Sequence, residues 1–132
     1  MVAEGLTVED DDDVRVLTFA KPPSNRLTPA LRAALIAACE EVPEHILKIV
    51  LTASGSTFSS SLPLDPDLAE PTLAQLCHAV ERARVPVIAA LSGLVLGPGA
   101  ELAMAARARI ASPKSRWGFA PRVAPRAGWQ AG

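Results

Sequence analysis

The residues with the plainest chemical use lie together in RVPVIAALSGLVLGPGAELAMAA, from Arg84 to Ala106. The apolar run Val87–Leu91 predicts a buried strand. Ser92-Gly93 and Gly97-Pro98-Gly99 predict a loop that exposes backbone, and helical spacing resumes beyond it with one acid, Glu101. A strand that empties into a glycine loop and a helix start aims peptide N–H groups and the positive end of a helix dipole at one place, which suits developing negative charge. Glu101, one turn into that helix, has the place of a general acid or base. It is equally favourable there as an acid in a first turn, with no chemistry attached. Pro98 fits the first helical position because it has no N–H to leave unsatisfied, and for the same reason it cannot donate.

Other clusters are chemically poorer. Ser59-Ser60-Ser61 resembles a nucleophile run, but neither His45 nor His78 is near it in sequence to act as a pairing base. Glu9 to Asp13 is read as an acidic turn between two strands. Calcium binding is a weak alternative, since the alternating ligand spacing and closing glutamate of a calcium loop are missing. Cys39 and Cys77 fall on apolar helix faces in no CxxC or Cys/His spacing and read as reduced, buried thiols. No residues are proposed as metal ligands.

A chain of 132 residues suits one domain and can bury roughly two thirds of its unfolded surface. Its formal net charge of -1 is unevenly spread. Residues 1–13 hold acids only, whereas after Glu101 there are only cations: Arg107, Arg109, Lys114, Arg116, Arg122 and Arg126. That basic third could favour an anionic ligand or be solvated charge. Without aromatic stacking residues or a basic recognition helix it does not suggest a nucleic-acid module. No leader pattern opens the chain and no apolar run approaches the roughly 18 residues of a membrane span. A soluble, cytoplasmic protein without membrane association is the expectation, and the free thiols agree with a reducing compartment.

The elements that must position Glu101 follow from periodicity. Leu6–Val8 and Val14–Ala20 predict a hairpin. Lys21 to Arg26 is a proline-bound loop, after which Thr28 caps a helix with Pro29 at its first position and Leu31, Ala34, Leu35, Ala38, Cys39 and Val42 on one face. Ile46–Thr52 predicts a strand buried on both faces, Ser54–Asp67 a polar loop, and a second helix starts around Pro71 with Leu73, Leu76, Cys77 and Val80 inward. Short strands are expected at Ala108–Ser112 and Arg116–Ala120, and 121–132 as an irregular tail. Alternating strands and helices imply an α/β fold with a mostly parallel sheet. His45, His78, Trp117 and Trp129 read as a loop histidine, a helix-surface histidine and two packing residues.

The segments VRVLTFAKPPSNRLTPALRAAL, ILKIVLTASGSTFSSSLPL and RVPVIAALSGLVLGPGAELAMAARARIASPKSRWGF stand in one order over most of residues 14–119. In that order and spacing the chain resembles the N-terminal half of the enoyl-CoA hydratase/isomerase (crotonase) family. PTLAQLCHAVERARVPVIAAL looks most like the hydratase portions of bifunctional β-oxidation enzymes. The resemblance implies a crotonase-like spiral of ββα turns, present here as a single partial domain over 1–132 that stops where the family continues for about as many residues again. It also implies a trimer or hexamer, acyl-CoA thioesters as ligands, and no cofactor beyond the coenzyme A of the substrate. The implied chemistry is an oxyanion hole of two backbone N–H groups around a thioester enolate, with two glutamates that add water across a double bond.

Residue by residue, the resemblance places the first oxyanion donor at Ser60 in Phe58-Ser59-Ser60-Ser61-Leu62-Pro63-Leu64, with Ser61 where the family has glycine and Pro63 where it has aspartate. Pro98, flanked by Gly99, takes the position of the second donor. Glu101 matches the first catalytic glutamate. The second belongs in a proline-glutamate pair that here reads Pro121-Arg122. Ser24, Arg26 and Leu27, with Ser61 and Leu62, match the substrate-binding segments beside coenzyme A, and Lys21 and Arg26 could reach its phosphates. Two functions follow: hydration of a 2-enoyl-CoA with impaired chemistry, or a catalytically inactive family remnant that binds acyl-CoA or serves oligomer assembly.

Overall fold

The computed structural model describes residues 2–3, 5–60 and 69–118. The strands are β1 (Val2–Ala3), β2 (Leu6–Asp11), β3 (Val14–Phe19), β4 (Lys48–Ala53), β5 (Thr57–Ser60), β6 (Val87–Leu91), β7 (Leu94–Leu96), β8 (Ala108–Ala111) and β9 (Arg116–Gly118). The helices are α1 (Pro29–Glu40), α2 (Leu73–Glu81) and α3 (Pro98–Ala105). They form an α/β fold with two sheets. The larger runs β1-β2-β3-β4-β6-β8, the smaller β5-β7-β9. Among the described residues only the β1–β2–β3 meander is antiparallel; every other pairing is parallel.

The helix starts are written in the local sequence. Thr28 Oγ1 accepts the N–H of Leu31 at 3.2 Å with Pro29 in the first turn of α1. Thr72 and Gln75 exchange bonds in a capping box at the start of α2 (2.7 and 3.1 Å). The predicted apolar faces point inward: Leu31, Leu35, Ala38, Cys39, Leu76 and Val80 are buried with Leu17, Phe19, Ile49, Leu51, Val87 and Ala89 of the large sheet. Phe58 of the small sheet meets Phe19 of the large one edge to face, centroids 5.2 Å apart, so one core serves both sheets.

Several sequence expectations are corrected. The hairpin turn is Asp12-Asp13 alone: Glu9 to Asp11 continue β2, in register with Val16, Arg15 and Val14. Asp12 has φ +55, a conformation that aspartate tolerates better than most residues. The stretch from Ser54 to Asp67 is not all loop, for it contains β5, and the glycine-flanked segment after Ser92 contains β7; these two strands are too short to show a period. Trp117 is exposed rather than packed. Trp129, the tail 121–132 and the last two residues of the predicted Arg116–Ala120 strand lie outside the described residues. His45 and His78 are exposed, as expected.

Buried polar groups complete the frame. Arg15 is 9% exposed, pairs with Asp10 (Nε to Oδ1 2.7 Å) and donates to the Ala38 and Glu41 carbonyls at the end of α1. The Arg15 guanidinium beside Asp10 holds its carboxyl below the usual range. Arg32, 4% exposed, donates to the carbonyls of Leu27, Ala69 and Pro71, and so joins α1 to the lead-in of α2. At the other end of the core α3 lies directly against β5. A Cβ at Gly99 would overlap the carbonyl oxygen of Ser59 and stand 2.7 Å from its Cβ.

Gly99→Ala should therefore cost about 2 kcal/mol through forced separation of α3 from β5. A urea unfolding midpoint equal to that of the unsubstituted chain would contradict the packing. A second expectation concerns alkaline pH. Burial pushes the Cys39 thiol up to about 11, and burial followed by the carboxylates of Glu101 and Glu81 pushes Cys77 up to about 11, from the ordinary value of 9.0. Between those values the folded state holds protons that the unfolded state releases, so the thiols' contribution is full below pH 9 and is lost as pH rises toward 11. Thermal melts across that window should decline in the unsubstituted chain and decline less in C39A/C77A. Equal slopes would assign the loss to other groups.

Candidate active site

The small sheet carries the candidate site at the carboxyl ends of its strands. Ser60 of β5 stands opposite Leu96 of β7, which stands opposite Gly118 of β9. The chain turns there at Gly97, whose N–H donates to Gly118 O at 2.9 Å and whose φ of +63 places it in the region that glycine enters without strain. α3 leaves from this turn. Carboxyl ends of parallel strands that feed a helix start are where open α/β sheets bind ligands.

At the start of α3 the N–H groups are divided. Those of Ala100 and Glu101 return to Gly97 O at 2.9 and 3.1 Å. Pro98 has none to give. Gly99, in the first turn, has no preceding helical carbonyl to meet. Glu101 is half-buried in that turn. Its carbonyl faces Cys77 Sγ of α2 at 3.8 Å, and its carboxylate is one of the charges that raise the Cys77 pKa.

Ser60 is at the end of β5 as the resemblance requires, but its N–H donates to Ser24 O at 2.8 Å. The expectation of a free donor at Ser60 is thus corrected: that hydrogen joins the edge strand β5 to the Lys21–Arg26 loop, where an unpaired strand edge would otherwise be left. Ser61 and Leu62, the other expected residues of this segment, lie outside the described residues. Ser59, the first of the serine run, is 1% exposed and donates its hydroxyl to Asn25 O at 2.8 Å, so it is not placed as a nucleophile.

Lys21, Ser24 and Arg26 come together with Thr28 and Leu31 around a cleft of about 200 Å³. Leu27 is buried in the core beside it, so its side chain belongs to packing and its backbone to the loop. The basic third divides by use. Arg109 donates to the carbonyls of Ala103, Met104 and Ala106 (3.3, 3.4 and 3.0 Å) and thereby caps the C-terminus of α3, where a cation meets the negative end of the dipole. Lys114 and Arg116 line a separate cleft of about 560 Å³ with Ser56, Ser92 and Ser112, at the amino end of the small sheet and away from Glu101. A groove of about 650 Å³ between α1 and α2, lined by Ile36, Cys39, His78 and Arg82 among others, touches none of the expected site residues.

Asn25, Ser59 and Arg32 were not identified from the sequence as parts of the site's frame. Asn25 carried a signal, since an asparagine inside a proline-bound turn is a candidate for positive φ, and here φ is +51. Arg32 carried none: its spacing puts it beside Leu31 and Leu35 on α1, and carbonyls from residues 27, 69 and 71 make its burial tolerable. Among the described residues no group of three or more His, Cys, Asp or Glu could hold a metal ion. No helix of the described residues is long and apolar enough to cross a membrane.

A model of the enoyl-CoA hydratase/isomerase family matches residues 9–123. The peroxisomal fatty acid beta-oxidation multifunctional protein AIM1 of Arabidopsis thaliana is 34% identical over 129 residues, which cover 87% of this chain and 18% of that protein. A probable enoyl-CoA hydratase of Bacillus subtilis is 31% identical over 126 residues, covering 86% of this chain and 49% of the relative. Among solved structures, a putative enoyl-CoA hydratase from Streptomyces coelicolor superposes with a TM-score of 0.76 at 32% identity, over 88% of this chain and 48% of that one. DspI from Pseudomonas aeruginosa gives 0.79 at 26% identity, over 88% and 52%. The chain spans about half the length of these structures and less than a fifth of the Arabidopsis protein. The α/β fold, with its mostly parallel sheets, is of the crotonase type, and with the family's order of segments carried on that fold, the chain belongs to the enoyl-CoA hydratase/isomerase family.

Proposed function

We propose that this chain binds acyl-CoA thioesters and hydrates a 2-enoyl-CoA by means of Glu101, with a rate limited by a weakened oxyanion hole. The observation that carries the reading is Glu101 in the first turn of α3, at the carboxyl end of the small parallel sheet, in a chain of this family. In the proposed complex the Ser24–Leu27 loop runs beside coenzyme A, and Lys21 and Arg26 meet its phosphates. The Glu101 carboxylate takes a proton from water as the water oxygen bonds to C3 of the enoyl group. Negative charge collects on the thioester oxygen as an enolate, and the Glu101 carboxyl returns the proton to C2. With Ser60 N–H engaged by Ser24 and Pro98 without one, the hole is left with the N–H of Gly99. Coenzyme A, as part of the substrate, is the only cofactor the scheme requires. A homo-oligomer, by family a trimer or hexamer, and a cytoplasmic setting complete the proposal. The free thiols support that setting, whereas some relatives carry peroxisomal names.

A second reading has its own support. Pro98 occupies the family's donor position without an N–H, and Arg122 stands where the second glutamate belongs. On that reading the chain binds acyl-CoA, or assembles with copies or relatives, without turning it over.

Hydration of crotonyl-CoA, followed by loss of the enoyl-thioester absorbance, should exceed the buffer rate for the unsubstituted chain and fall to it in E101Q. Acyl-CoA binding by calorimetry with a rate no higher than buffer would favour the non-catalytic reading instead. In Pro98→Gly the missing N–H returns to the hole, and hydration should rise on the order of a hundred- to a thousand-fold. A rate unchanged in that variant would mean that the position does not face the developing charge.

A further inference from the structure

We propose that Asn25 and Ser59 form a positioning pair that fixes the coenzyme A loop to β5 and, through β5, to the start of α3. The inference rests on the acyl-CoA reading above and adds the device that sets the distance between the two halves of the site. Asn25 is 1% exposed and uses every hydrogen-bonding group it has. Its two amide hydrogens go to the carbonyls of Thr57 and Phe58 at 3.0 and 3.1 Å. Its Oδ1 accepts the Lys21 N–H at 2.9 Å, and its own N–H donates to Lys21 O at 3.0 Å. Its carbonyl accepts the Ser59 hydroxyl at 2.8 Å, and one residue earlier Ser24 O takes the Ser60 N–H.

The loop that carries Lys21, Ser24 and Arg26 is thus closed on itself and laid along the outer edge of the small sheet by one side chain. Among the described residues β5 is the edge strand there, and its outward carbonyls find their partners in Asn25 rather than in a strand. The link continues inward. Ser59, held by Asn25, is the residue whose backbone lies against Gly99, two positions before Glu101. Displacement of the loop must therefore move β5 or open its contact with α3, because neither side has spare room. Asn25 and Ser59 touch no ligand in this scheme. They act through Lys21 and Arg26 on one side and α3 on the other.

The experiment uses the full chain with Asn25→Asp and Ser59→Ala. The first keeps shape but turns acceptor oxygens toward two carbonyls; the second removes one hydroxyl. Calorimetry compares butyryl-CoA with butyryl-pantetheine, which has the same thioester arm without the nucleotide. Butyryl-CoA affinity should fall about tenfold or more in N25D and less in S59A. Butyryl-pantetheine affinity should fall several-fold less than butyryl-CoA affinity in both, because the loop's cations meet only the nucleotide phosphates and the thioester arm feels only the shift of β5 against α3. If N25D does not fold, S59A and N25G, which keeps the positive φ, are compared in the same way. Binding of butyryl-CoA by both variants as tightly as by the unsubstituted chain overturns the pair's role, and so does an equal loss on both ligands, which is general loosening. An unsubstituted chain that binds pantetheine and CoA esters alike, or neither, overturns the acyl-CoA reading itself.

Discussion

The structure depends on how closely α3 lies against β5. Gly99 has no side chain, and that absence lets the helix axis come within backbone contact of Ser59. The approach sets where Glu101 stands relative to the strand ends, since Glu101 is half a turn further along the same helix. Gly97 makes the turn that precedes it with a positive φ, and its N–H is used to bond β9. One glycine therefore shapes the turn and the other permits the contact. Between them Pro98 stiffens the helix start and has no N–H to donate.

Polar groups inside the molecule do work that apolar packing could not. Arg15 and Arg32 each reach several carbonyls that no strand or helix satisfies, at the end of α1 and at the lead-in to α2. Asn25 does the same along the edge of β5. Each would be costly if unpaired, and each is paired with backbone, which ties segments distant in sequence into one frame. Short strands such as β5, β7 and β9 gain little from local propensity, and this cross-linking together with Phe19 against Phe58 holds the small sheet on the large one.

Much of the fold was legible in residue order. The hairpin, the capped start of α1, the apolar face of α2 and the strand β6 all follow from period and capping, and the structure bears them out; β4 is a strand as expected, but it runs from Lys48 to Ala53 and buries one face, with Ile49 and Leu51 inward and Lys48 exposed, rather than both. β5 and β7 were not legible. At 4 and 3 residues they carry no readable alternation, and serines and glycines around them read as loop. They are strands because β5, β7 and β9 supply one another's hydrogen bonds, a condition that no single segment reveals. The continuation of β2 through Glu9 to Asp11 was no more legible: acids disfavour strands, but Arg15 directly across neutralises Asp10.

For the candidate site, the sequence by itself determined the parts: an acid at 101, glycines at 97 and 99, a proline that cannot donate at 98, cations at 21 and 26, and an arginine at 122 where the family carries glutamate. These are properties of residue type, independent of where the chain goes. Only the tertiary structure decided how the parts are used. Ser60, expected to offer its N–H, spends it on Ser24; Ser59 is buried on Asn25; Arg109 closes a helix rather than facing a ligand. The physical reason is that a backbone hydrogen has one bond to make, and which acceptor it meets depends on segments tens of residues away.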